Sequence, residues 1–103
     1  MAFAVAARWV ANPGEEDEVL RCLNELAPAS RAEPGCRFYQ ANRDPDDPRV
    51  FFLYEIYDDR DAADEHWASE HFKRHALEDA IPRLESRERW FYTTIDDAQE
   101  RRT

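Results

Sequence analysis

Two histidines five positions apart, His66 and His71, and one acid inside the apolar run VFFLYEIY, Glu55, are the residues of this 103-residue chain best suited to moving a proton. A carboxylate on a buried strand is costly unless it is paired or kept protonated. Glu55 therefore calls for a partner, an arginine or a histidine. It reads either as an ion pair stitching strand to helix or as a pocket acid or base with a shifted pKa. On an unbroken helix His66 and His71 would stand about 140° apart. A break near Ser69-Glu70, with Ser69 as the N-cap of a new helix, would bring both imidazoles to one cavity. Taken singly, each histidine reads equally well as a hydrogen-bonded packing residue. His75 lies in a more polar stretch and reads as surface. Tyr39 with Asn42, and the cluster Trp90, Phe91 and Tyr92, complete the features of chemical interest.

Several chemistries are excluded by what the residues do not form. No H-x-E pattern or Cys/His ligand set is present, so no metal site is expected. Cys22 and Cys36 form no metal or redox motif and read as reduced thiols of a cytoplasmic protein. With only 2 glycines there is no Gly-rich phosphate loop, and no G-x-S-x-G nucleophile elbow is found. A formal net charge of -9 repels phosphate backbones and anionic lipid, so neither nucleic acid nor a membrane is expected as partner. The start, MAFAVAARWVANPG, contains Arg8 but no basic leading region and reads as a strand rather than a signal peptide.

The elements that must position these residues follow from periodicity. Phe3 to Val10 alternates as a strand, with Phe3, Val5, Ala7 and Trp9 on one face. Glu15, Glu16 and Asp17 suit a helix N-terminus, and Val19, Leu20, Leu23, Leu26 and Ala27 form its apolar stripe until Pro28 ends the pattern. Glu33-Pro34-Gly35 turns the chain into a second strand, Cys36 to Arg43. The turn Asp44 to Pro48 leads to a third, Arg49 to Tyr57. Arg60 to Ser69 reads as a short helix, Glu70 to Leu84 as a second helical stretch bent near Pro82, and Arg89 to Ile95 as the last strand. The order β-α-β-β-α-β is the split βαβ arrangement, an α+β ferredoxin-like domain with a four-stranded antiparallel sheet and both helical segments on one face. Residues 1–96 make this single domain and 97–103 a polar C-terminal tail. Apolar residues occupy both alternating sets: Phe51 and Leu53 against Phe52, Tyr54 and Ile56, and Trp90 and Tyr92 against Phe91 and Ile95. The sheet face away from the helices therefore calls for a partner sheet, most simply in a C2 homodimer.

Four segments in register, Glu33-Pro34-Gly35-Cys36-Arg37-Phe38-Tyr39, Arg43-Asp44-Pro45-Asp46-Asp47-Pro48, Phe52-Leu53-Tyr54-Glu55 and His66-Trp67-Ala68-Ser69-Glu70-His71-Phe72, resemble the antibiotic biosynthesis monooxygenase domain family. The resemblance spans about residues 2–95. It implies a dimeric α/β-barrel and a pocket between sheet and helices in each subunit. It also implies oxidation of a quinol, or of a phenolic or polyketide-like aromatic, by O2 with no cofactor, neither flavin nor metal. Other superfamily members isomerise small phosphorylated ketones or degrade haem. The haem branch is disfavoured: the first strand has no Asn, and His66 stands where that branch carries Trp. On this resemblance His66, His71 and Glu55 are the candidate proton handlers, while Tyr39, Asn42, Phe52, Tyr54, Trp67, Phe72 and Trp90 are the candidate substrate-binding residues. A non-oxidative isomerase or cyclase and a non-catalytic small-molecule-binding dimer are the alternatives. A phosphorylated substrate would call for a basic pocket. Arg8, Arg37, Arg43, Lys73 and Arg74 are too scattered in sequence to argue one.

Overall fold

Because side chains on a strand alternate, one residue's direction fixes its whole face. The computed structural model describes residues 1–96 and places four strands in the order β2-β3-β1-β4, all neighbours antiparallel. These are β1 (Phe3–Ala11), β2 (Cys36–Arg43), β3 (Val50–Tyr57) and β4 (Leu84–Thr93). The fold is ferredoxin-like α+β. The ladders align Tyr39, Glu55, Val5 and Phe91 in one row across the sheet, and Ala41, Leu53, Ala7 and Arg89 in the next. Both rows face the helices.

Helix α1 (Glu16–Arg31) lies over this face, burying Val19, Cys22, Leu23, Leu26 and Ala27 against Trp9, Phe51 and Leu53. Its first turn carries Glu16, Asp17 and Glu18, which favour the positive end of the dipole. Pro28 does not end α1 as the sequence predicts, since the helix runs on to Arg31. In the last turn a proline loses only one internal bond, and Ser30 Oγ donates to the Leu26 carbonyl at 2.8 Å.

The second helical segment has three parts instead of one bent helix. After α2 (Arg60–Trp67) come the single turn α3 (Glu70–Phe72), a wide π-helical stretch Lys73–Ala80 and a 3₁₀ turn Ile81–Arg83. The wide stretch buries Ala76 and Ala80 and packs on α1. The last strand starts at Leu84, earlier than its apolar residues suggest, because β4 is an edge strand with polar residues through its first half. The opposite sheet face shows Phe52, Tyr54, Trp90 and Tyr92, between 37% and 60% exposed. Within one chain, then, β3 is covered on one side only.

Candidate functional site

The break between the two helical pieces does what the spacing predicts. Ser69 adopts an extended conformation (φ -73, ψ 157), accepts from the Phe72 N–H at 3.2 Å and donates its hydroxyl to the His66 carbonyl at 2.7 Å. That one residue ends α2 and starts α3, rotating His71 toward His66. Both histidines then meet a residue from the loop before β2: His66 Nδ1 lies 2.7 Å from Glu33 Oε2, and His71 Nε2 bonds the same oxygen. Glu33 thus joins the end of α1, the start of β2 and the α2–α3 junction.

The side chain of His66 is 1% exposed, with its ring 5.2 Å from Phe72, 5.3 Å from Tyr57 and 5.7 Å from Tyr39. A carboxylate oxygen only accepts hydrogen bonds. The network therefore assigns protons to His66 Nδ1 and His71 Nε2 and leaves His66 Nε2 and His71 Nδ1 as the nitrogens not bonded to Glu33. Among the described residues neither donates nor accepts a hydrogen bond through that nitrogen. A base whose far nitrogen is held by an acid is the arrangement proton abstraction needs.

Glu55 does not pair with an arginine or histidine, as its burial had suggested. Its Oε1 accepts the Tyr57 hydroxyl at 2.6 Å, both groups being buried. Desolvation raises the Glu55 pKa and Glu33 adds to the rise, while the Tyr57 hydroxyl, His66 and Arg89 oppose it. The Tyr57 and Tyr39 phenols are pushed up as well, first by burial and then by Glu55. Because the folded state holds the Glu55 proton more tightly, its contribution to stability is full below the unfolded carboxyl pKa of ~4.3. That contribution is lost as pH rises through the folded value. Glu55→Gln keeps the acceptor for Tyr57 but cannot ionise. Its melting temperature should match the wild type near about pH 4 and exceed it near about pH 8, by about 4–8 °C for each kcal/mol. Thermal melts of both proteins across that range check this, and a variant that melts lower at the alkaline end would contradict it.

Gly35 is a close-packing position. A Cβ there would meet the Ala62 Cβ at 2.6 Å, so the loop carrying Glu33 lies directly against α2. Gly35→Ala should cost about 1–3 kcal/mol by overpacking and push His66 away from Glu33. The double variant Gly35→Ala/Ala62→Gly should recover much of that loss in a denaturant titration. Between the two segments is a cleft of about 150 Å³ lined by Glu33, Pro34, Gly35, Ala62, Glu65 and His66. This is below the ~300–1,000 Å³ of ordinary ligand pockets and suits a single ring better than a fused polycycle. A larger cavity of about 380 Å³ runs along the outer edge of β2, by Arg31, Cys36 and Gln40. Burial and Glu33 push the Cys36 thiol up to about 11, so it is a poor nucleophile.

The ligand atoms of Glu33, His66 and His71 lie within 4.8 Å of one another, a two-nitrogen, one-oxygen set of the type divalent transition metals accept. At 2.7 Å, however, the Glu33–His66 contact has hydrogen-bond length. Ligands about 2.0–2.1 Å from a tetrahedral ion stand roughly 3.3 Å apart. As arranged, the trio shares protons and would have to spread to take an ion.

Of the residues singled out from sequence, the structure gathers His66, His71, Tyr39 and Phe72 around one point and sets Glu55 beside Tyr57 on the same face. Trp67 also lies on the helix side, its ring 5.7 Å from Phe91. Phe52, Tyr54, Trp90 and Asn42 belong to the opposite face, since the register aligns Asn42 with Phe52, Ala6 with Tyr54 and Ala6 with Trp90. They cannot wall a cavity that contains His66. Asn42 is exposed and donates to the Phe52 carbonyl at 3.1 Å. His75 is not fully at the surface, with 17% side-chain exposure and Glu25 at 3.7 Å. Glu33 was missed because it sits in a turn with no periodicity. Its signals were an acid directly before Pro34-Gly35 and its place at the head of the first family-like segment. Cys22 and Cys36 are free thiols.

Residues 2–77 match the sequence profile of the family described as antibiotic biosynthesis monooxygenase. Rv0793 of Mycobacterium tuberculosis, provisionally named a monooxygenase, is 35% identical over 69 residues, 67% of each chain. Its solved structure superposes with a TM-score of 0.85 at 27% identity, covering 95% of this chain and 99% of that one. PA3566 of Pseudomonas aeruginosa gives 0.85 at 27% identity over 92% and 95% of the two chains. SO0527 of Shewanella oneidensis gives 0.81 at 28% identity over 88% of each.

Proposed function

The chain belongs to the antibiotic biosynthesis monooxygenase family, and from that premise we propose that it oxidises a small hydroquinone or phenol with O2, without flavin or metal, using His66 as a base that Glu33 orients. The observation carrying this reading is the Glu33 oxygen shared by His66 and His71, which orients an imidazole at the wall of the cleft between the Glu33 loop and α2.

The chemistry balances without an outside reductant. His66 Nε2 removes a phenolic proton, and the electron-rich phenolate reduces O2 by one electron. The resulting pair combines to place a hydroperoxide on a ring carbon. Loss of water, with the O–O bond breaking and the ring C–H proton leaving, gives the hydroxyquinone. One oxygen of O2 enters the product and the other becomes water, and all four electrons come from the substrate. The protein's part is to bind the ring in the cleft lined by Pro34, Gly35, Ala62 and His66, hold the proton taken by His66 and return it to the departing oxygen.

We also read the exposed sheet face as a homodimer interface, since Phe52, Tyr54, Trp90 and Tyr92 form a contiguous aromatic surface of a kind soluble monomers rarely show. No helix among the described residues is long and apolar enough to cross a membrane.

Oxygen uptake over a panel of hydroquinones tests the reaction. Uptake above the protein-free rate, retained after chelator treatment and lost in His66→Ala, is expected. Uptake that never exceeds the protein-free rate would remove the oxygenase reading and favour O2-independent proton-transfer chemistry at the same base.

A further inference from the structure

The helix-facing side of β4 brings together two arginines, Arg87 and Arg89, beside an aromatic pair. Arg8, Arg21, Arg37, Arg49, Arg60 and Arg83 each sit on a carboxylate. Arg87 and Arg89 have no acidic partner in contact among the described residues. They alternate on one face of the strand, opposite Trp9 and Ala7 of β1, so their Cα atoms stand about 6.5–7 Å apart. The Arg89 guanidinium is 4.9 Å from the Trp67 ring centroid and 5.4 Å from that of Phe91. Arg60 approaches the same two rings from α2, at 5.7 Å and 5.2 Å.

Gathering like charges without a counter-ion is unfavourable, and the protonated form of Arg87 is disfavoured first by desolvation and then by Arg89. Glu55 is the acid that acts on both, but it is 4% exposed, bound to Tyr57, and forms no ion pair with either guanidinium among the described residues. Trp9, aligned with Arg87, adds a buried indole N–H with no acceptor among the described residues. Two open guanidiniums beside a tryptophan–phenylalanine pair make a receptor for an anion attached to an aromatic ring. The fork of donors meets the oxygens, and the attached ring packs beside the exposed Phe91, which it shares with Arg60 and Arg89.

We propose that Arg87 and Arg89, with Trp67 and Phe91, form an anion-recognition site that selects aromatic substrates bearing a carboxylate or phosphate group. The proposal rests on the aromatic-substrate reading above and names that substrate's charge class. Phe91 and Glu55 fall in one row of the sheet, separated only by Val5. A group bound at β4 thus sits on the same sheet face as Glu55 and the His66 cluster, across α2 from them.

Binding of unreactive probes separates this proposal from the oxygenase reading, because no turnover is needed. Benzoate, phenyl phosphate and neutral methyl benzoate would be titrated at low salt into the full chain and into Arg87→Gln, Arg89→Gln and the double variant, by calorimetry and tryptophan fluorescence. At least one anion should bind about tenfold or more tighter than methyl benzoate, and whichever of the two is preferred identifies the group. Each single variant should weaken that preference and the double variant abolish it, while every variant still melts cooperatively as a folded protein. Equal binding of the anions and the ester, or a preference that survives in the double variant, would overturn the proposal even if hydroquinone oxidation stands.

Discussion

Glu33→Ala is expected to lower the turnover number of quinol oxidation by about 10²–10⁴-fold, the range that positioned acid–base catalysis supplies, while the KM changes little. The residue touches no apolar core cluster. Its side chain holds the two imidazoles by one oxygen, and without it His66 can adopt either tautomer and His71 loses its anchor. Two partly buried N–H donors are then left without an acceptor, which costs roughly 1–3 kcal/mol and should appear as a lower melting temperature in a still-folded protein. Glu33→Gln keeps an acceptor but not the charge and should fall between. Oxygen uptake with the best hydroquinone, read beside thermal melts, checks both parts. A variant with wild-type turnover would leave the bridge with a structural role only.

The second large effect concerns the aromatic sheet face. Phe52, Tyr54 and Trp90 stand 41%, 37% and 40% exposed on the side away from the helices. Around them lie Ala4 and Ile56, which are buried, and Phe38, which packs its ring 5.9 Å from Tyr54. In a C2 assembly each substitution appears twice in the interface. Tyr54→Arg/Trp90→Arg should therefore weaken dimerisation by at least about 10³-fold, or about 4 kcal/mol, because aromatic anchors at an interface centre carry much of the binding energy. Sedimentation should show the wild type as a dimer at micromolar concentration and the double variant as a folded monomer. A wild-type monomer would refute the interface.

How much of this was legible in the residues depends on whether periodicity carries the information. The odd positions of β1, from Phe3 to Trp9, and the reversal at Ser69 were readable because alternation and capping are local rules. Which apolar set of β3 faces the helices was not. Phe51-Phe52-Leu53-Tyr54 is apolar in both sets, so alternation alone cannot choose, and only the ladder with β1 sends Phe52 and Tyr54 outward. The same ambiguity misassigned Trp90 as a cavity wall. Glu33, the residue that organises the site, lies in a turn without periodicity, and although it heads the first family-like segment nothing there tells that it meets two histidines. Arg87 hides in the polar stretch Glu85 to Glu88, ahead of the strand expected from Arg89, until β1 is seen to pair with it from Leu84 onward. Long-range pairing, not local preference, decides each of these.

The proposed reaction inserts one atom of O2 into an aromatic substrate. Turnover of the best hydroquinone under isotopically labelled dioxygen in ordinary water, with the product analysed by mass spectrometry, tests it most directly. The account predicts a hydroxyquinone carrying a single labelled oxygen in the wild type, and no enzymatic labelling above background in His66→Ala. A product whose new oxygen comes only from water, or one formed equally well without O2, would contradict it.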